Sequence, residues 1–249
     1  MQPEIKMVKY MNKIDDDITM LPPNKTILFF DIDNTLIRTK TDIGSVEWIK
    51  WQEKLFNKYN GQHEFCVTDT LDNLYKLYRL WLINSNCETE LLEEYVPELI
   101  NKYVSLGFKI VLVTARHKST AKITIDQISR HFIIGQFYSS DIYFENEDIL
   151  FQNGIYFAGG TNKGKCINKL LQVFKLVFDY KPENIVFIDD SLRECKTIIS
   201  GVIDADTNIY VFNYLFGIRY QKQFDKLDKN LLHEEWSIYC NSIINNNVL

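Results

Sequence analysis

The stretch Ile27-Leu28-Phe29-Phe30-Asp31-Ile32-Asp33-Asn34-Thr35-Leu36-Ile37 decides how this chain is read. An apolar run meets two acids one residue apart, two turn-forming residues follow, and the chain becomes apolar again. That pattern is a buried strand, at about 26–30, ending in a polar corner. Faces alternate along a strand, so Asp31 and Asp33 leave its end on related sides. Two acids there are costly to bury unless a metal, a base or a phosphate-binding site compensates them. Taken alone, the pair is best explained by solvent exposure at the corner.

Two further strands change that balance. Ile110-Val111-Leu112-Val113 ends in Thr114-Ala115-Arg116, and Ile185-Val186-Phe187-Ile188 ends in Asp189-Asp190-Ser191. Continuous apolar runs of this length are expected of strands buried on both faces in a parallel sheet. Ligands of such sheets sit at the carboxyl ends of the strands, where residues far apart in sequence converge. Gly159-Gly160-Thr161-Asn162 then opens a helix beginning near Lys163, a fourth candidate for the same place. Each signal has a plainer reading when isolated. Thr114 is an ordinary strand-end residue, Lys163 an ordinary helix-start lysine, and Asp189-Asp190 a candidate N-cap pair. Arg116 and His117 are candidates for substrate contact, with Arg116 equally well read as a surface ion-pair residue.

The remaining chain fits around these strands. Residues 1–25 read as a short helix, a polar turn at Asp15-Asp16-Asp17 and a breaker at Pro22-Pro23. Val46, Ile49, Trp51, Leu55 and Tyr59 recur at helical spacing, as do Leu71, Leu74, Leu77, Tyr78 and Leu82. Residues 40–88 are therefore expected to form a small helical insert, its aromatics serving mainly as packing, with a possible role as a closing lid. Residues 89–105 give another amphipathic stretch, kinked at Pro97 or restarted there, and closed by Gly107. A helix is expected at about 119–131, and a hairpin turning at Asn153-Gly154, with a further short strand at Asp141-Ile142-Tyr143-Phe144. A last strand falls at about 209–212 and a helical tail at about 231–244.

Bulk properties narrow the function. The 249 residues are 46% hydrophobic and 24% charged, an ordinary globular balance for one large domain or a domain with an insert. A net charge of -5 gives no basic field for nucleic acid. The five cysteines form no C-x-x-C pair and the four histidines no H-E-x-x-H pattern, so zinc and a disulfide framework are not indicated. No apolar run approaches a membrane span and no secretory signal is read at the N-terminus, which makes a cytoplasmic location the expectation.

In order, D-x-D-N-T, strand-Thr, Lys and strand-Asp-Asp resemble the four motifs of haloacid dehalogenase-like (HAD) phosphatases over about residues 26–215. The stretches Gly44-Ser45-x-x-Trp48 and Asn153-Gly154-Ile155 to Asn162-Lys163-Gly164 are also similar to an uncharacterised bacterial branch of that superfamily. The resemblance implies an α/β fold, a Rossmann-like parallel sheet flanked by helices, as a core of residues 1–39 and 89–249. It makes residues 40–88 a type 1 helical cap. It implies a Mg²⁺-dependent phosphomonoester hydrolase working through an aspartyl-phosphate, with a phosphorylated small molecule or phosphoprotein as substrate. Asp31 would be the nucleophile and Asp33 the general acid and base. Thr114, Lys163, Asn34 and Thr35 would bind the phosphoryl group, the latter two through backbone N–H groups and a hydroxyl. Asp31, Asp189 and the Asp33 backbone carbonyl would ligate the metal, with Asp190 supporting. The same residues would serve a phosphotransferase or mutase, or a non-catalytic protein binding phosphorylated partners. Lys165 lies close enough to be confused with Lys163, and the family-like pattern Asn-Lys-Gly favours Lys163; separately, Gly159-x-x-x-x-Gly164-Lys165-Cys166 nearly spells a P-loop. Cysteine stands there where a Mg²⁺-binding hydroxyl is required, and a P-loop leaves Asp31, Asp33 and Thr114 unexplained.

Overall fold

The computed structural model describes residues 4–138, 142, 143, 147–202 and 207–245. In chain order the elements are β1 (Ile5–Val8), α1 (Asp15–Thr19), β2 (Thr26–Asp31), β3 (Ile37–Thr39), α2 (Val46–Tyr59), α3 (Leu71–Asn84), β4 (Thr89–Leu91), α4 (Val96–Ser105), β5 (Lys109–Thr114), α5 (Ala121–Ser129), β6 (Ile142–Tyr143), β7 (Leu150–Gln152), β8 (Ile155–Phe157), α6 (Lys163–Phe178), β9 (Asn184–Asp189), α7 (Leu192–Gly201), β10 (Asn208–Tyr214), α8 (Ile218–Phe224) and α9 (Lys229–Asn245). None of the described helices is long and apolar enough to cross a membrane.

Two compact units result. The first holds Met1–Arg38 and Glu90–Gly217. Its sheet has the strand order β1-β10-β9-β2-β5-β8-β7-β6. From β1 to β8 every neighbouring pair is parallel, while β7 and β6 are added antiparallel. The fold is α/β, a mostly parallel sheet flanked by helices. Strand β2 is central, pairing with β9 on one side and β5 on the other. All six residues of β2 and all six of β9 are buried, which is why these segments read as unbroken apolar runs. The hairpin turns through Asn153 and Gly154, at φ 51° and 74°, the left-handed pair that a tight β-turn needs.

The N-terminal segment departs from its sequence reading. It opens with β1, an edge strand that sets Ile5 opposite Val211 of β10, instead of a helix. Four residues, the middle two exposed, are too few for a period of two to stand out. The acids at Asp15, Asp16 and Asp17 form the first turn of α1, where the positive end of the helix favours them. Pro97 lies at the start of α4, so the kinked-helix alternative falls away. Of the expected strand at 141–144, Ile142 and Tyr143 form β6, and Asp141 and Phe144 lie outside the described residues.

The second unit is helical, built from Thr39–Thr89 and the segment from Ile218 onward. The side chain of Ser45 caps α2 by accepting from the Trp48 amide, and Asn60 ends the helix in the left-handed region. Its core joins Trp48, Leu74, Trp81 and Leu82 to Phe224, Leu232 and Trp236, with the Trp48 and Trp236 rings 4.4 Å apart. The expected boundary, which placed residues 218–249 with the α/β unit, is therefore corrected. A two-helix insert of about fifty residues buries too little surface by itself, and α8 and α9 supply its missing apolar partners.

Candidate active site

Parallel pairing fixes the level at which each polar strand end emerges. Asp31 is aligned with Val113, one residue before Thr114, and Asp189 is aligned with Asn213 on β10. The three strand ends are thus neighbours at the carboxyl edge of the sheet. Asn213 secures the β9 corner, donating from its side-chain amide to the carbonyls of Asp189 and Asp190 at 3.2 and 2.9 Å.

Lys163 reaches this edge from the first residue of α6. Its ammonium donates to Asp31 Oδ1 and, at 2.6 Å, to Asp189 Oδ2. All three side chains are almost fully buried. The helix is started by Asn162, whose side chain accepts from the Lys165 amide, while Lys165 itself is exposed. Gly164 explains how α6 can bring Lys163 so close to β9. A Cβ built there would overlap the Thr197 carbonyl oxygen of α7, and one built on Gly201 would lie 2.7 Å from the Gly164 carbonyl carbon. The second glycine of the apparent P-loop is therefore a helix-packing residue.

Electrostatics at the cluster are unbalanced. Asp31, Asp189 and Asp190 each offer a carboxylate oxygen within 4.8 Å of the others. The Lys163 ammonium pairs with two of them, Asp31 and Asp189. Burial pushes the Asp31 carboxyl up to about 7, against the lowering effect of Lys163 and with further raising by Asp189 and Asp33. Burial likewise raises Asp189, to about 6, with Asp190 adding to the rise. Lys163 loses by burial but gains more from its two carboxylates and is held firmly protonated. The donor set is hard oxygen, and its surplus negative charge suits a divalent cation such as Mg²⁺.

Thr35 is fully buried and bridges the first motif to the last. Its hydroxyl donates to Asp31 Oδ2 at 3.0 Å and accepts from the Asp190 amide at 3.2 Å. Asn34 takes the left-handed conformation, φ 60°, and its backbone N–H donates to the Ile37 carbonyl at 2.9 Å. That amide closes the turn that follows Asp33. Thr114 is fully buried, and its hydroxyl accepts from the Arg116 amide at 3.1 Å, leaving its proton to donate. The N-cap of α7 is Ser191, so Asp189 and Asp190 are not its cap.

Asp33 is paired with Arg116. Both its oxygens are held by Arg116, Nε to Oδ2 at 2.9 Å and Nη2 to Oδ1 at 2.7 Å. Arg116 is not a surface ion-pair residue, since its side chain is 3% exposed. His117 turns instead to Ser119 and Asp148. Sequence reasoning missed the Arg116 fork and the Asn213 brace, because neither residue type is distinctive at a strand end.

The family described as "Protein of unknown function (DUF2608)" matches residues 7–248. No curated protein matches the chain. Among solved structures, the chain is similar to a protein from Bacteroides fragilis described as a haloacid dehalogenase-like hydrolase, at 13% identity and a TM-score of 0.46, covering 77% of this chain and 98% of that one. It is also similar to cytosolic 5'-nucleotidase IIIB bound to cytidine, at 14% identity and TM-score 0.41, covering 92% of each. A third is a HAD-family enzyme from Bacteroides thetaiotaomicron in complex with magnesium and inorganic phosphate, at 14% identity and TM-score 0.37, covering 75% and 93%.

Proposed function

The chain belongs to the DUF2608 family, and from the geometry of its own residues we propose that it is a Mg²⁺-dependent phosphomonoester hydrolase. The observation that carries this reading is the charge deficit at the sheet edge. Asp31 and Asp189 are buried on one ammonium, with the Asp190 carboxylate beside them. Such an arrangement is costly unless a cation and its ligand complete it. The resemblance to HAD phosphatases in the four motif positions supports the same reading.

In this proposal Asp31 is the nucleophile. Its carboxylate oxygen attacks phosphorus, the bond from phosphorus to the ester oxygen breaks, and that oxygen takes a proton from Asp33. Asp33 then removes a proton from water as the water attacks phosphorus. The bond from phosphorus to Asp31 breaks, and inorganic phosphate leaves. Lys163 and the Thr114 hydroxyl stabilise the phosphoryl oxygens as charge develops. Thr35 holds the Asp31 carboxylate in one orientation through its 3.0 Å hydrogen bond. Asp31, Asp189, the Asp33 carbonyl and, directly or through water, Asp190 would hold Mg²⁺. When bound, the ion supplies charge neutralisation that lets one anion approach another.

The test is phosphate release from a generic aryl phosphate. Turnover is expected with Mg²⁺, loss with EDTA, and loss in Asp31→Asn with the fold retained. A protein that is inert with Mg²⁺ across sugar, nucleotide, lipid-headgroup and peptide phosphates would sink the reading. Release that survives Asp31→Asn would sink the mechanism.

A further inference from the structure

A guanidinium buried as completely as that of Arg116 requires a reason. Thr124 Oγ1 and Gln127 Oε1 accept from its Nη1 at 3.0 and 2.7 Å. Both are fully buried, and they stand three residues apart on α5, hence on one face of it. They orient the guanidinium without neutralising it. Among the described residues Asp33 supplies a counter-charge, its two oxygens accepting from Arg116 Nε and Nη2. The backbone of Arg116 is tied as well, through its amide to Thr114. The chain from α5 through Arg116 to Asp33 is thus fixed at each joint, whereas the Asp33 side chain keeps 21% of its surface open.

We propose that Arg116 is a positioning residue for the proton-transfer steps, fixing the Asp33 carboxylate toward the leaving-group oxygen while Thr124 and Gln127 fix Arg116. The proposal rests on the phosphatase reading above. A planar fork suits this task better than a lysine. It sets the plane of the carboxylate and not only its distance, and it leaves lone pairs on the outer side of the carboxylate for the proton. The proton passes between Asp33 and the ester oxygen or water, and Arg116 keeps its own.

The consequence is a loss that depends on the leaving group. A p-nitrophenolate leaves without a proton at neutral pH, whereas a phenolate needs one far more. The experiment compares the wild type, Arg116→Lys and Gln127→Leu on p-nitrophenyl phosphate and phenyl phosphate, with Mg²⁺ and the full chain. Arg116→Lys keeps the charge and removes the fork. Gln127→Leu keeps the volume and removes one acceptor, so it serves if Arg116→Lys does not fold. For Arg116→Lys, kcat is expected to fall about 10²-fold or more on phenyl phosphate but about 10-fold or less on p-nitrophenyl phosphate, with KM little changed. Gln127→Leu should show a smaller loss of the same slope. Equal losses on the two substrates, or losses confined to KM, overturn the positioning role. A wild type that shows no Asp31-dependent turnover on either substrate overturns the phosphatase reading instead.

Discussion

The Lys163 ammonium meets the Asp189 carboxylate at 2.6 Å with neither side chain more than 3% exposed. Asp31 competes for the same ammonium, so with both carboxylates ionised the three groups carry one surplus negative charge. Replacing Lys163 by Met should leave two buried carboxylates facing each other. The expected destabilisation is about 3–5 kcal/mol, the range for a buried pair stripped of one partner. Adding Asp31→Asn should recover part of it. Denaturant melts of the single and double variants measure both terms, and strict additivity would show that the two groups do not feel each other.

Metal and pH act on that cluster together. Burial puts the folded carboxyls of Asp31 and Asp189 at about 7 and about 6, above their ordinary value of 3.8. A carboxyl raised on folding holds its proton more tightly in the folded state. Its contribution to stability is fully present below the unfolded value and is lost as pH rises through the folded one. In metal-free protein this pair therefore weakens the fold between about pH 4 and about pH 7. Mg²⁺ competes with those protons, so the rise in Tm on adding Mg²⁺ should grow from about pH 5 to about pH 8. Thermal melts with Mg²⁺ and with EDTA across that interval check it, and a pH-independent increment would contradict the assignment.

Asp33→Asn should separate the acid–base role from the metal role. Both oxygens of the Asp33 side chain accept from Arg116. Mg²⁺ affinity, read by calorimetry, should be largely unchanged, while kcat falls by about 10²–10⁴-fold. Stability should fall as well, because the buried Arg116 guanidinium loses the Asp33 carboxylate from its ion pair. Asp31→Asn differs in kind, since it removes the attacking oxygen. A labelled phosphoryl group should be trapped on Asp33→Asn and never on Asp31→Asn.

Sequence patterning reaches as far as the interactions that produce it. The apolar runs of β2, β5 and β9 are visible because burial on both faces leaves no polar position. The terminal residues of β2 and β9 are visible because acids after such a run are unusual. Lys163 is buried and Lys165 exposed, a difference that two lysines one residue apart do not reveal in sequence. The Arg116 fork was not legible. Its meaning comes from Asp33, Thr124 and Gln127, three partners placed by tertiary packing and carrying no mutual spacing. The assignment of α8 and α9 to the helical unit was hidden for a similar reason. Trp48 and Trp236 pack together across 188 positions of chain, and no local period records such a contact.

The Gly159–Cys166 segment tests whether a motif-like pattern is a phosphate loop or a packing device. If it is packing, Gly164 matters and Lys165 does not. A methyl group at Gly164 would meet the Thr197 carbonyl, a backbone atom that can yield only by moving α7, and Gly201 leaves no slack on the facing side. Gly164→Ala should therefore destabilise by about 1–3 kcal/mol, as overpacking does. It should also lower turnover, because any shift of α6 carries Lys163 away from Asp31 and Asp189. Lys165 is exposed, and Lys165→Ala should stay within about 0.5 kcal/mol of wild type, with turnover intact. Melting curves and phosphate release on the two variants decide the matter. Loss of ATP binding in Lys165→Ala together with an unperturbed Gly164→Ala would reverse the assignment, since only a phosphate-cradling loop needs the lysine and tolerates a wider helix crossing.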